Sequence, residues 1–210
     1  MIEVKNLTKK FTRNSTEFDA VHDVSLEVKS GEFAAIIGHS GSGKTTLFNM
    51  IAGLISPTSG KVFIDGEEIT VMEENEKAVF RNNNMGYVLQ GQSLLSNFTI
   101  LDNICMPAYL SPNVDDFKDR ALELLKQIGL EEFANEYPSN LSGGEIRRVS
   151  IVRAMINNPK VIVADEPTSN LDPENSKKVM QMLSDISKSG TTVLLSTCLL
   201  YTSDAADDKA

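Results

Sequence analysis

The chain has 210 residues, 41% of them hydrophobic and 23% charged, an ordinary globular composition with room for one large domain or a core with a subdomain. Lys and Arg number 20 against 29 Asp and Glu, a net charge of −9, which excludes a protein that grips a nucleic-acid backbone with its whole surface. No apolar run approaches the roughly 20 residues of a bilayer span, the opening MIEVKNLTKKF lacks the apolar core of a secretory signal, and Cys105 and Cys198 lack metal-ligand spacing.

In chain order, residues 2–8 and 24–28 read as short strands; in the second, Val24, Leu26 and Val28 alternate with Ser25 and Glu27. Phe33 to Ile37 is a continuous apolar run ended by glycine, the pattern of a central strand buried on both faces. From Lys44, the residues Leu47, Met50, Ile51 and Leu54 recur at helical spacing until Gly53 and the ISPTSG turn. Lys61 to Asp65 is a strand closed by the Asp65-Gly66 turn. Between about residues 86 and 158 the character changes to helical, with Phe117 to Ile128 and Glu145 to Ile156 as its helices. Val161 to Ala164 is a buried strand running into two carboxylates, and Thr191 to Ser196 is another apolar strand.

Residues 38–45, GHSGSGKT, satisfy G-x-x-x-x-G-K-[ST] between a predicted strand and a predicted helix. Gly38, Gly41 and Gly43 let the backbone curl, with His39, Ser40 and Ser42 between them, so that successive N–H groups form a nest for phosphate at a helix N-terminus. In that setting Lys44 reaches the β- and γ-phosphates, Thr45 holds Mg²⁺ and Thr46 helps to cradle phosphate. A Gly/Ser linker can match the pattern by chance; the flanking strand and helix argue against it. VIVADEPT then delivers Asp165 and Glu166 at a strand's C-terminal edge, where ligands of open α/β sheets bind. Asp165 suits the Mg²⁺ shell, and Glu166 can orient and deprotonate a water aimed at the γ-phosphorus. LSGGE, Leu141 to Glu145, is a third feature: Ser142 as N-cap with Glu145 three residues later makes a capping box, and the fixed amides of Gly143 and Gly144 are an anion-binding helix terminus.

With the phosphate loop, LSGGE, VIVADEPT and Ser169-Asn170-Leu171-Asp172 in this order, the chain resembles the nucleotide-binding subunit of ABC transporters from about residue 1 to 197. The resemblance implies an α/β P-loop NTPase core, a RecA-like mixed sheet with an antiparallel β-subdomain, carrying an inserted helical subdomain. Residues 1–85 and 159–197 would form the two parts of the ATP-binding core and 86–158 the helical signature subdomain. It also implies a homodimer that sandwiches two ATP molecules head to tail, so that Leu141, Ser142, Gly143, Gly144 and Glu145 serve the partner's ATP. Phe11 would stack on adenine, Gln90 would sense Mg²⁺, Glu166 would catalyse, and Asp172 would contact the partner. ATP and Mg²⁺ are the implied cofactors, and an integral membrane permease is the implied second partner, with this subunit peripheral on the cytoplasmic face of the cell membrane. Glu145 departs from the glutamine usual in LSGGQ, a variation the family tolerates.

The opening segment, GLISPTSGKVFIDGEEIT and NFTILDNICMP look most like the lipoprotein-releasing and macrolide-exporter subfamily, which also includes a cell-division ATPase partner. ATP-driven transport, in particular export or lipoprotein extraction, is therefore the leading function; a non-transporting regulator of cell-wall remodelling is the alternative. A DNA-acting ABC ATPase would need a long coiled-coil insertion or large additions that 210 residues cannot hold. A P-loop kinase or GTPase would leave LSGGE unexplained, and the guanine-reading Asn-Lys-x-Asp element is lacking. The pattern breaks after Thr197: the family expects a histidine contacting the γ-phosphate, and Cys198 stands there, while His22 and His39 lie elsewhere. The segment CLLYTSDAADDKA resembles translated sequencing-adapter DNA. Residues 198–210 are accordingly expected to be foreign, and hydrolysis to be impaired without the histidine.

Overall fold

The computed structural model describes residues 1–91, 93–110 and 117–198. Strands β1 (Ile2–Arg13) and β2 (Thr16–Val28) form a hairpin, turned by Asn14 and Ser15, which both take left-handed φ values of 49° and 63°, as a two-residue hairpin turn requires. The apolar alternation marks only the inner halves of these strands. Their outer halves carry mostly polar, exposed residues, so the full length is set by pairing and not by burial. On the other side of β1 lies β4 (Ser59–Ile64), followed after the predicted Asp65-Gly66 turn by β5 (Glu67–Glu68), giving an antiparallel sheet of order β2-β1-β4-β5.

A second sheet is parallel, of order β3-β8-β7-β6, from β3 (Phe33–Ile37), β6 (Met85–Val88), β7 (Val161–Ala164) and β8 (Thr192–Thr197). The central place expected for Phe33 to Ile37 is not the one it takes. Among the described residues β3 is an edge strand with β8 as its neighbour, and Phe33 and Ile37 are 36% and 49% exposed. A continuous apolar run does not tell on which sides a strand has neighbours, and no residue of β3 is fully buried; β7 and β8, whose runs look much the same, are the central pair. Residues 86–88, within the stretch that reads as helical, pair with β7 and extend this sheet.

The helices are α1 (Lys44–Ile51), α2 (Glu74–Asn84), α3 (Ile100–Tyr109), α4 (Phe117–Gln127), α5 (Gly143–Met155) and α6 (Pro173–Lys188). Three apolar clusters hold them. Phe48 and Met50 of α1 meet Leu7 and Ile64 of the antiparallel sheet and, on one face of the parallel sheet, Val163 and Leu194. The opposite face presents Ile162, Ala164, Val193 and Leu195 to Ile151 of α5 and Val179 and Leu183 of α6. The third cluster joins α3, α4 and α5 through Ile104, Leu125, Val149 and Val152. No helix among the described residues is long and apolar enough to cross a membrane. Of the tail expected to be foreign, only Cys198 falls within the described residues.

Candidate functional site

The parallel sheet brings the phosphate loop and the Asp165-Glu166 pair to the C-terminal ends of its strands. The loop after β3 carries Gly38, His39, Ser40, Gly41 and Ser42 to Gly43, which N-caps α1 at φ 90°. A side chain at Gly43 would also run into the Ala20 carbonyl oxygen of β2, so glycine is required there twice over, by its left-handed backbone and by the close approach. The same hairpin carries Phe11, which is 39% exposed, tilted against Phe18 at 6.1 Å between ring centroids and covered by the Lys9 ammonium at 5.3 Å. Its exposed part is aromatic surface of the kind on which a flat ring can stack. Lys44 is buried and folds back over the loop, donating from Nζ to the carbonyl oxygens of Gly38 (2.8 Å) and His39 (2.9 Å). Thr45 is exposed and Thr46 half-buried in the first turn of α1.

Across the sheet edge, β7 is followed by Asp165, which is 1% exposed, and Glu166, which takes a left-handed φ of 45°, a strain of about 1 kcal/mol for a residue with a side chain. The turn sends the Glu166 carboxylate to the phosphate loop: Oε1 lies 3.6 Å from Lys44 Nζ, and Oε2 accepts from Gln90 Nε2 at 2.7 Å. Lys44 and Gln90, from two other segments, thus converge on the Asp165-Glu166 pair. Gln90 is held by α5: the buried Arg147 guanidinium donates to the Leu89 carbonyl (2.8 Å), and Arg153 donates to the Ser93 carbonyl (2.8 Å) and hydroxyl (2.9 Å). Burial lowers the pKa of both guanidiniums, and neither leans on a carboxylate in these contacts.

As to a metal, the residues present fit a hard divalent cation such as Mg²⁺. Carboxylate, hydroxyl and amide oxygens at Asp165, Thr45 and Gln90 are hard donors, and Mg²⁺ takes one or two carboxylates and leaves its other positions to water and phosphate oxygens. Among the described residues no group of His, Cys, Asp and Glu forms a metal cage of its own.

The LSGGE segment builds the capped terminus that its spacing predicts. Ser142 caps α5; its backbone N–H and its hydroxyl both donate to Glu145 Oε2 at 2.7 Å, and the Glu145 N–H returns to Ser142 Oγ at 3.4 Å. The Ser142 hydroxyl first, and its amide second, hold the Glu145 carboxyl below the usual range. Ser142 and Gly143 are exposed, whereas Leu141 and Gly144 are buried. Gly144 packs so closely on the Asn175 side chain that a Cβ there would overlap it. Asn175 in turn accepts from Arg148 Nη1 (3.2 Å) and donates its amide N–H to Asp172 Oδ2 (2.6 Å) and its backbone N–H to Asp172 Oδ1 (2.9 Å), the N-cap of α6. The starts of α5 and α6 are thereby joined.

Sequence reasoning missed Asn175, Arg147 and Ser196. Ser196 Oγ donates to Asp165 Oδ1 (2.5 Å) and accepts from the Glu166 N–H (2.9 Å). The signal for it was parity: aligning the ends of VIVADE and TVLLST as parallel neighbours sets Ser196 beside Asp165.

A phosphate loop between strand and helix, with a neighbouring strand delivering an acidic pair to the loop lysine, defines a P-loop nucleotide triphosphatase. Residues 21–169 match the family model described as ABC transporter. The chain is 39% identical over 196 residues, 93% of its length and 86% of the relative's, to the lipoprotein-releasing system ATP-binding protein LolD of Buchnera aphidicola subsp. Schizaphis graminum. Among solved structures it is similar to the dimeric structure of MJ0796, a bacterial ABC transporter cassette, at TM-score 0.87 and 39% identity, covering 94% of this chain and 88% of that one. A post-hydrolysis dimer of the same cassette bound to ADP and Pi matches at TM-score 0.85 and 35% identity, with coverage of 94% and 88%. The chain belongs to the ABC transporter family: it is an ATP-binding cassette and an ATPase, with the α/β P-loop fold that its motifs imply.

Proposed function

We propose that the chain is the ATPase subunit of a membrane transporter of the lipoprotein-releasing type, working as a head-to-tail homodimer on a separate integral membrane permease at the cytoplasmic face. The reading of the site rests on the convergence of Lys44 and Gln90 on the Glu166 carboxylate. Phosphate would be held by the loop amides from Gly38 to Gly43, by Lys44 and by Thr46, with adenine on Phe11. Thr45, Asp165 and Gln90 would hold Mg²⁺, which screens charge on the phosphate oxygens. Glu166 would take the proton of the attacking water. Ser142, Gly143 and Gly144 would offer their amides to the nucleotide of the twin subunit, beside Asp172. The cargo assignment is supported by the likeness to LolD over 93% of the chain.

Blocking proton removal while leaving binding intact should trap the closed pair. Light scattering of a Glu166→Gln chain with saturating Mg-ATP is expected to give the mass of a dimer, falling to a monomer when ATP is omitted. A chain that stays monomeric with Mg-ATP would remove the basis for the cross-subunit role of Ser142.

A further inference from the structure

We propose that Ser196 is a positioning residue for ATP hydrolysis, its single hydroxyl locking Asp165 and the Glu166 backbone into one arrangement. The inference rests on the reading of Glu166 as the general base. Strand β8 is apolar through Val193, Leu194 and Leu195, and the fully buried Ser196 interrupts it. The ladder pairs Ala164 with Leu195; one step further Ser196 stands opposite Asp165, and by strand alternation both share the face of Val163 and Leu194 that packs on α1.

At that point the hydroxyl uses both of its capacities. It donates to Asp165 Oδ1 at 2.5 Å and accepts from the Glu166 N–H at 2.9 Å. The second bond matters because Glu166 sits at φ 45°, a conformation that reverts unless its surroundings fix it. That left-handed turn aims the carboxylate at Lys44 and Gln90. The adjoining Thr197 carbonyl accepts from the Gly38 N–H at 3.2 Å, so the end of β8 sets the start of the phosphate loop and the pose of the base together. An alanine at 196 would keep the packing and remove both bonds, freeing Glu166 to relax toward negative φ.

The test compares the full-length chain with Ser196→Ala, Ser196→Thr and Glu166→Gln in three measurements. Hydrogen exchange of the Glu166 amide, followed by NMR without nucleotide, reads the bond itself. Single-turnover hydrolysis of Mg-ATP, with protein in excess, reads rate and half-saturation separately, and thermal unfolding reads packing. Ser196→Ala is expected to speed exchange of that amide about tenfold and to slow hydrolysis about tenfold, with half-saturation within about twofold. Its melting temperature is expected to stay within about 3 °C of the parent's, and Ser196→Thr is expected to restore both exchange and rate. Unchanged exchange in Ser196→Ala overturns the proposal. So does a parental rate despite faster exchange, or a loss of rate, half-saturation and melting temperature together that threonine does not rescue. If Glu166→Gln is inactive and Ser196→Ala fully active, the positioning role alone falls; if Glu166→Gln hydrolyses at the parental rate, the general-base reading falls and takes this inference with it.

Discussion

Cys198 follows β8 immediately, half-buried, at the place where the family pattern has a histidine. A thiol donates weakly and has one small sulfur where imidazole has two ring nitrogens to orient a water and a phosphate oxygen. The chain as written is therefore expected to bind ATP and turn it over slowly, and Cys198→His is expected to raise the single-turnover rate about a hundredfold; equal rates would refute that account. The other cysteine behaves differently. Burial, helped by nearby Asp102, pushes the Cys105 thiol up to about 11, so with iodoacetamide at pH 8 the native chain should be alkylated at Cys198 well before Cys105, as mass spectrometry of the digest would show. At this scale the sequence is legible where neighbours along the chain do the chemistry. Gly38 to Thr46 and the Asp165-Glu166 pair announce themselves because one loop or one strand end supplies every atom. Ser196, Asn175 and Arg147 are hard to read because each acts on a residue from another element, and the register of β7 against β8, or the packing of α5 on α6 and on the segment after β6, supplies that information.

Helix α5 shows how far an element can be read. Its N-terminus was legible as Ser142 and Glu145 at capping-box spacing. Its two-sided burial was not: Val149 and Val152 face the helical layer while Ile151 faces the sheet, so no single apolar stripe appears. Helix α2 is hidden for the opposite reason, since ENEKAVFRNNN buries little and its one buried residue is Lys77. The cap also has a pH signature. The folded Glu145 carboxyl is held below its ordinary value of 4.5, so the bond stabilises fully above that value and is lost as pH falls through the lowered folded value. Glu145→Ala is expected to cost about 0.5–1 kcal/mol in urea unfolding at neutral pH, and this deficit should shrink once both chains are studied in acid. Glu145→Gln keeps an acceptor, so it should cost less and lose the pH dependence; a deficit that does not change with pH would argue against the carboxylate as its source.

At the scale of the molecule, the order of motifs gave the layered plan but not the neighbours. The antiparallel sheet, the parallel sheet and the helical layer follow from strand–loop–helix units, whereas the edge position of β3 depends on which strands return beside it. Because α5 contributes to both the sheet-side and helical-side clusters, truncating its sheet-facing Ile151 to alanine should lower stability by about 2–4 kcal/mol, visible as a lower urea midpoint; an unmoved midpoint would mean that the layers are not joined there. The same helix meets α6 at Asn175, where the Gly144 backbone, the Arg148 guanidinium and the Asp172 carboxylate share one amide. Two chain segments remote in sequence are consequently pinned at one side chain, so damage at Asp172 and damage at Gly144 are not expected to sum: once either has loosened Asn175, altering the other has little left to change.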